Sequence, residues 1–451
     1  RIWLFCSRKS FYFLSGCIYC RENQNVKGKR MRRFSIKAMQ TDQPDEGRLK
    51  VHVTAASGGT PIPGARIAIS YTGEPDRQLE EVTTDSSGNT EELELAAPPL
   101  EYSTSPNEEQ PYSEYTLSIT APGFEPVEVV GAEILPEVTA LQEIQMIPEQ
   151  GEEYERFVIP AHTLFGDYPP KIAEAEIKPT SETGEIVLSR VVVPEFVIVH
   201  DGVPTDSTAT NYWVCYRDYI KNVASSEIYA TWTDAAIRAN VLAIMSFTLN
   251  RVYTEWYRNK GYDFTITSST AFDHKWIHNR NIFQNISRIV DEMFGNYLSR
   301  PNVKQPILTQ YCDGRRVTCP NWMSQWGSQA LGEQGYSAIQ ILRNYYGESM
   351  YINTAEEISG VPYSWPGSNL TEGSRGQKVL QLQEQLNRIA KAYPAMPTIS
   401  EDGIYGPATA NSVRTFQSIF GLPQTGIVDY PTWYKVSEIY VAVSRIAELN
   451  P

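Results

Sequence analysis

Residues 218–232 have the sequence DYIKNVASSEIYATW, which is the most informative stretch in the middle of the chain. A helix here places Glu227 on the same face as Val223 and Ala224, four and three residues earlier. Apolar neighbours disfavour an ionised carboxylate, which suits a general acid that works near neutral pH. Trp232, just beyond the helix, could stack on a sugar ring. Glu227 is therefore the catalytic candidate, although a glutamate on a helix is more often a solvated surface residue.

The region around this stretch, residues 196–352, predicts a mixed, helix-rich domain. Apolar residues recur close to every 3.6 positions in three further segments, at 234–259, 281–298 and 324–346. Thr233 or Asp234 is a suitable N-cap for the first of them. These patterns predict a catalytic domain built mainly from helices.

Two segments of this region resemble the stage II sporulation protein D family of lytic transglycosylases. Residues 219–232 match the family pattern Tyr-(Ile/Leu)-Lys-x-Val-x-x-x-Glu-(Met/Ile)-x-x-x-Trp in every element, and residues 323–330, MSQWGSQA, fit the end of the domain. The resemblance implies that Glu227 serves as both acid and base. It also implies substrate contacts from four residues, Trp232, Ser324, Gln325 and Trp326.

The sequence departs from this family at several positions. Asn240, Met245, Ser246 and Phe247 occupy positions of the segment where the family usually carries Ala-Gln-Ala and Arg-Thr-Tyr, so that a Gln and an Arg are replaced. His274 stands where a Gln is often found. The departures put finer substrate contacts in doubt and leave the acid in place.

One carboxyl group is enough for the reaction that the resemblance implies. Hydrolytic glycosidases usually need a second carboxylate to activate water or to attack the sugar. In a lytic transglycosylase the 6-hydroxyl of the muramic acid attacks instead and leaves a 1,6-anhydro end. Asp218 and Asp234 flank the site, but their helix positions give no reason to pair them with Glu227.

Residues 361–451 predict a C-terminal module of three helices. Five pieces resemble the peptidoglycan-binding type 1 family in order and spacing: GSRGQKVLQLQEQL from 373, DGIYGPAT from 402, VRTFQ from 413, FGLPQTGIV from 420 and TW at 432–433. Apolar positions such as Phe416 are expected in the core. The loop with Asp402 and Tyr405 is the predicted contact with sugar or peptide. The module indicates peptidoglycan as the partner.

Residues 48–148 predict an N-terminal β-sandwich. Polar and apolar residues alternate at 49–54, 65–70 and 115–120, which is typical of half-buried strands. The turn at 85–90 and the APGF sequence at 121–124 resemble the transthyretin-like, carboxypeptidase regulatory-like family. The fold class expected for the whole chain is therefore multidomain α+β.

Residues 149–195 predict a linker rich in Glu and Pro, with a short strand at 185–188, and linkers are where proteases cut. Residues 1–47 predict a leader and tail. The first thirty are basic, hold three of the six cysteines and lack the continuous apolar run of a signal peptide. We interpret them as read-through before a start at Met31.

Cys312 and Cys319, with His274, are candidate zinc ligands. Some members of the resembled family hold zinc with Cys and His, but two cysteines are half of a tetrahedral site. A reduced pair or a disulfide is the alternative. No cofactor is the principal expectation.

Composition excludes some classes of function. The 451 residues carry a net charge of −14, which argues against nucleic acid as a partner, and no run of about twenty apolar residues predicts a transmembrane helix. The domain order resembles that of clostridial spore cortex-lytic enzymes, whose N-terminal part is a pro-region cut by a protease. That resemblance implies a zymogen of the spore cortex, coat region or cell wall.

The expected function is thus cleavage of peptidoglycan glycan strands by a lytic transglycosylase. The main alternative is a non-catalytic peptidoglycan-binding or amidase-enhancing sporulation protein. A third option is a peptidase or amidase that uses Cys312 or Cys319 as nucleophile.

Overall fold

A computed structural model describes five ranges of the chain: residues 44–56, 59–151, 154–178, 188–359 and 365–444. The proposed start at Met31 lies outside these ranges, as does nearly all of the strand expected at 185–188. The described residues are mixed α+β, and their buried side chains form one main hydrophobic core. The domain boundaries given above remain predictions.

The N-terminal region consists of two β-sheets. Its elements are β1 (Asp45–Ala55), β2 (Arg66–Tyr71), β3 (Gln78–Thr83), β4 (Leu93–Ala97), α1 (Glu101–Thr104), β5 (Ser113–Thr120), β6 (Val127–Ile134), β7 (Thr139–Met146) and β8 (Glu155–Val158). One sheet has the order β4-β1-β7 and the other β3-β2-β5-β6-β8. A later strand, β13 (Ile282–Phe283), extends the first sheet beside β7.

Alternation of buried and exposed side chains explains these strands. Leu49, Val51 and Val53 of β1 are fully buried, with half-exposed residues between them. The predicted strands at 49–54, 65–70 and 115–120 are confirmed. Gly88 closes the predicted turn with φ of 76°, and a Cβ there would lie 2.5 Å from the carbonyl oxygen of Val53, so only glycine fits.

Two acidic side chains face each other across this region. Glu114 of β5 lies opposite Glu133 of β6, and Arg280 donates to Glu133 over 2.7 Å. Burial and, secondarily, the charge of Glu133 raise the pKa of Glu114 from 4.5 to about 7. Glu114 therefore stabilises the fold through its protonated form.

We expect the free energy of unfolding to fall as the pH rises from 4.5 through 7, because the folded chain then releases a proton that the unfolded chain has already lost. The change should be on the order of 1 kcal/mol, since water screens this half-buried group. Thermal melts between pH 5 and 8 test it. Glu114→Gln should remove this part of the pH dependence, whereas exposed Glu109→Gln should keep it. If the melting temperature changed with pH equally in the parent and in Glu114→Gln, the assignment to Glu114 would be contradicted.

Residues 159–178 follow β8 and are named here the cover segment. The segment has no helix or strand, yet His162, Leu164, Tyr168 and Lys171 are buried against the helical region. The Glu/Pro-rich composition predicts a linker, and the burial of these four side chains was not part of that prediction. The buried groups follow no regular period because the segment is extended over the surface that it contacts.

The central region combines short strands with helices. Its strands, besides β13, are β9 (Val192–Val193), β10 (Phe196–His200), β11 (Asn211–Cys215), β12 (Ile266–Thr267), β14 (Asn296–Ser299), β15 (Tyr311–Cys312), β16 (Met323–Ser324), β17 (Tyr351–Thr354) and β18 (Glu357–Ile358). Its helices are α2 (Tyr216–Glu227), α3 (Asp234–Tyr253), α4 (Gln284–Met293), α5 (Gln325–Glu333) and α6 (Ala338–Tyr346). Helix α3 is buried over almost its whole length and contacts α2, α4, α5 and α6.

The predicted helices exist, but their ends differ. The Thr233 hydroxyl caps α3 by accepting from the Ala236 N–H, as expected. The helix ends six residues early, just before Glu255, whose φ of 45° is not helical. The helix expected at 324–346 is two helices, because Gly335 between them has a φ of 84°. Helix α4 is shorter than predicted because β13 precedes it.

The C-terminal region contains α7 (Gln377–Ala390), α8 (Pro407–Ile419) and α9 (Tyr430–Ser444). Two buried glutamines fix its loops. Gln383 of α7 accepts from the N–H groups of Asp402 and Gly403, while Gln417 of α8 accepts from the Gly426 N–H. Within the described ranges, no helix is both long and apolar enough to cross a membrane.

Candidate active site

Helix α2 places Glu227 in the interior of the protein. Tyr219, Ile220, Val223 and Ala224 pack into the core, and Glu227 is the last helical residue, with an exposed fraction of 0%. A carboxylate at a helix C-terminus meets the negative end of the helix dipole. The Glu227 carboxylate is therefore enclosed by the protein, and the groups that donate to it define its surroundings.

Three hydrogen bonds hold Glu227. The Lys275 N–H donates to Oε1 over 2.7 Å, and Gln325 Nε2 donates to Oε2 over 3.1 Å and to the main-chain oxygen over 2.9 Å. The prediction of apolar neighbours is therefore incomplete. Val223 and Ala224 are buried beside Glu227, but both carboxylate oxygens accept hydrogen bonds from polar groups. Both oxygens are fixed in direction, which a general acid requires.

Two side chains of the cover segment reach this carboxylate's surroundings. The Tyr168 hydroxyl donates to Gln325 Oε1 over 3.1 Å. Lys171 is buried, donates to the main-chain oxygen of Asp273 and lies 4.5 Å from the ring centre of Tyr311. Burial lowers the pKa of Lys171, and the charges of Glu227 and Asp273 oppose that shift. The cover segment thus places the Lys171 amine on the loop whose Lys275 N–H binds Glu227.

A buried ion network holds the loop that binds Glu227. Asp273 has no exposed surface and accepts from Arg251 Nε over 2.7 Å, from the Tyr257 hydroxyl over 2.7 Å and from both the N–H and the hydroxyl of Thr267. Arg251 also binds both carboxylate oxygens of Glu174 in the cover segment. Because Lys275 follows two residues later, this network positions the N–H that meets Glu227.

The zinc prediction is not supported. Cys312 and Cys319 form a disulfide, so their sulfurs are not free ligands, and they are not the thiol nucleophile of a peptidase or amidase either. His274 is buried, bonds to the Tyr219 hydroxyl at 3.1 Å and stacks on Tyr311. Burial holds its pKa well below 6.5. No group of three or more metal-binding side chains comes together in the described part of the chain.

The structure brings most of the predicted contact residues to Glu227, but in a covered state. Gln325 binds Glu227, its neighbour Trp326 lies 5.1 Å from Trp232 between ring centres, and Ser324 caps α5 by accepting from the Gly327 N–H. Trp232 has an exposed fraction of 4%, and its Nε1 donates to the main-chain oxygen of Ser103 in α1. A sugar could not stack there without moving the N-terminal region.

The loop closed by the disulfide contacts both covering elements. Arg316 donates to the main-chain oxygens of Thr163 and Gly166 in the cover segment. Arg315 donates to the main-chain oxygen of Asn107 and to the carboxylate of Glu108 in the N-terminal region. This one loop thus joins the two elements that close the site.

The two predicted contacts of the C-terminal region differ from each other. Asp402 is exposed, and it accepts from the Ile404 N–H and from Gln383. Tyr405 has an exposed fraction of only 1%, and its hydroxyl donates to the Gly426 carbonyl, so it is a core residue in this structure. Of the pair, only Asp402 is placed to meet a ligand.

Several residues of the site were not anticipated. Tyr168, Lys171, Asp273 and the Lys275 N–H carry no local motif, and the cover segment has no periodicity. Their meeting depends on contacts between residues about 50 to 150 positions apart. The paired Arg251 and Asp273, each inside an apolar stretch, are the one signal that the sequence offers, because buried charges need partners.

Comparison with known proteins identifies one part of the chain. Residues 375–436 match the family described as a putative peptidoglycan-binding domain. A zinc D-Ala-D-Ala carboxypeptidase of Streptomyces albus G is 41% identical over 78 residues. That match covers 17% of this chain and 29% of the carboxypeptidase, so the chain spans less than a third of that relative.

Solved structures match over short stretches. The N-terminal domain of SleB is 27% identical with a TM-score of 0.15, and the match covers 17% of this chain and 99% of that domain. The 5-hydroxyisourate hydrolase of Klebsiella pneumoniae is 18% identical with a TM-score of 0.15, covering 23% of this chain and 92% of that enzyme. The C-terminal match relates the chain to cell-wall proteins. More particularly, the chain carries a C-terminal peptidoglycan-binding domain.

Proposed function

We propose that this protein is a lytic transglycosylase of the spore cortex or cell wall, with Glu227 as its acid and base. The observation that supports it most is the pair of fixed hydrogen bonds on the Glu227 carboxylate, in a chain that also carries a peptidoglycan-binding domain. The domain keeps the chain on the polymer, and the carboxylate supplies the chemistry.

The reaction needs only the groups that meet here. The protonated Glu227 gives its proton to the glycosidic oxygen, and the bond from that oxygen to C1 of the muramic acid breaks. The resulting carboxylate takes the proton of the 6-hydroxyl, whose oxygen bonds to C1. Glu227 is protonated again, and no water is consumed. Asp273, whose oxygens are bonded to Arg251, Tyr257 and Thr267, is not free to act as a second carboxylate.

The cover segment and the N-terminal region are proposed to keep the enzyme latent. They cover Trp232 and Glu227, since Trp232 donates to the main-chain oxygen of Ser103 and Tyr168 donates to Gln325, which binds Glu227. The cover segment is itself tied to the N-terminal region, since the His162 N–H donates to the Tyr112 hydroxyl and β8 pairs with β6. A protease that cuts in residues 149–195 is the proposed activator.

A cut between the cover segment and β9 should activate the chain. In a variant whose residues 181–184 are replaced by the recognition site of a specific protease, we expect no glycan cleavage before cutting and cleavage afterwards. The reason is that the N-terminal region and the cover segment, with their contacts to Trp232 and Gln325, can then dissociate. Release of anhydromuramic fragments from sacculi, followed by mass spectrometry, measures it. The unaltered chain treated with the same protease is the control. Equal activity before and after the cut would contradict latency.

The alternative proposal is a binding protein without chemistry, which the complete burial of Glu227 favours. The same measurement separates the two. Fragments ending in 1,6-anhydromuramic acid support the transglycosylase. Retention on sacculi with intact glycan, after the N-terminal region has been shown to dissociate, supports a binding or amidase-enhancing role.

A further inference from the structure

An exposed aromatic surface lies on the sheet formed by β11, β10 and β12. Trp213 of the edge strand β11 has an exposed fraction of 71%, the largest among the exposed hydrophobic side chains of the described residues. Trp213 is paired with Ile198, and Cys215 with Phe196, so Trp213 and Phe196 share one face of the sheet. Phe196 is 37% exposed, and its ring centre lies 6.5 Å from that of Trp213.

Phe196 also forms the wall of a cleft of about 480 Å³. Thr265 of the neighbouring loop and the apolar Val252 line it, and charged side chains surround it. Arg258 lies 3.5 Å from Glu255, and Arg190 pairs with Glu357. The cleft therefore offers paired donors and acceptors beside an aromatic wall.

We propose that this surface, named here the Trp213 site, binds the glycan strand of peptidoglycan. Aromatic faces pack against the C–H faces of sugar rings, and an exposed tryptophan loses the stabilisation that burial would give it, about 25 cal/mol for each Å². Paired arginine and glutamate side chains can bond to hydroxyl and N-acetyl groups without needing an ion. The volume lies within the range of small-ligand sites.

A glycan strand is the occupant because the same chain carries a domain that binds this polymer. Trp213 and Phe196 are exposed among the described residues while Glu227 is buried, so the site does not depend on opening of the Glu227 site. The inference rests on peptidoglycan as the ligand and does not depend on Glu227 as the acid. Glycan cleavage can therefore be observed without binding at the Trp213 site, and binding at the Trp213 site can be observed without cleavage.

Hydroxyl-radical footprinting of the full chain tests the proposal. With a peptide-free tetrasaccharide of alternating N-acetylglucosamine and N-acetylmuramic acid, the oxidation rate of Trp213 should fall at least about threefold at saturation, because a stacked sugar excludes solvent from one ring face. Tyr336, which is 41% exposed on another loop, is the internal control and should be unchanged. An unchanged rate at Trp213 would overturn the proposal.

Two variants add an independent measurement. Trp213→Ala with Phe196→Ala should weaken tetrasaccharide binding in calorimetry at least about tenfold, which corresponds to about 1.4 kcal/mol, because both stacking rings are removed. Tyr336→Ala should leave the binding unchanged. Urea unfolding of each variant establishes that the fold is kept. Protection of Trp213 by the stem peptide alone, and not by the tetrasaccharide, would also overturn the glycan assignment.

Discussion

The Glu227→Gln variant of the protease-activated chain is expected to release anhydromuramic ends about a thousandfold more slowly than the parent, in the range that general acid–base catalysis supplies. Glutamine has nearly the same size and can still accept from the Lys275 N–H. It cannot give a proton to the glycosidic oxygen. Mass spectrometry of soluble fragments, with time courses for both chains, measures the change.

The two flanking carboxylates are the matched controls. Asp234 is bonded to Arg238 and Arg288 at the surface, and Asp218 is exposed on the first turn of α2. Asp234→Asn and Asp218→Asn should each keep the activity within a few-fold of the parent, since neither carboxylate approaches Glu227. If Glu227→Gln stayed active and one of the two controls lost activity, the catalytic acid would have to be assigned to that aspartate.

Binding to sacculi separates catalysis from attachment in the same experiment. The peptidoglycan-binding domain at residues 375–436 does not include Glu227. Glu227→Gln should therefore be retained on sacculi as well as the parent is. The amide will face the side-chain NH₂ of Gln325, a mismatch that should cost about 1–3 kcal/mol, so the fold must be checked by thermal melting.

The sequence was sufficient for the elements that depend on short-range patterns. Alternation over six residues predicts β1, β2 and β5, and the period of α3 together with Thr233 predicts its start. The helix that carries Glu227 follows from the same reasoning. The predicted ends of other helices were less accurate. At Glu255 and Gly335 a single backbone angle interrupts an apolar pattern that continues along the sequence.

The surroundings of Glu227 could not be predicted in the same way. The partners of Glu227 come from residues 275 and 325, and the covering side chains from residues 168 and 171, so they meet only through tertiary contacts. A segment without periodicity gives no indication of what it will contact. Tyr405 shows the opposite error. A tyrosine in a polar loop suggests a ligand contact, but its hydroxyl donates to the Gly426 carbonyl inside the core.

The Asp273→Asn variant should show the largest loss of stability. Asp273 and Arg251 both have no exposed side-chain surface, and their atoms are 2.7 Å apart. Removing one charge of a buried pair costs about 3–5 kcal/mol. Arg251 then keeps only Glu174 as its counter-charge and loses the carboxylate that its Nε binds. Here the loss is compounded, since the new NH₂ group faces the donating groups of Tyr257 and Thr267. Urea unfolding at pH 7 measures the change in the free energy of unfolding.

A matched control and a double variant show whether the charge pair is responsible. Asp206→Asn changes a fully exposed aspartate that bonds only to its own loop, so its effect should stay within about 0.5 kcal/mol. Arg251→Met combined with Asp273→Asn should cost less than the sum of the two single changes, because the buried guanidinium that loses Asp273 is then removed as well. Additive losses would show that the two charges do not stabilise each other. A loss of glycan cleavage in Asp273→Asn chains that are still folded would follow from movement of Lys275, whose N–H fixes the Glu227 carboxylate.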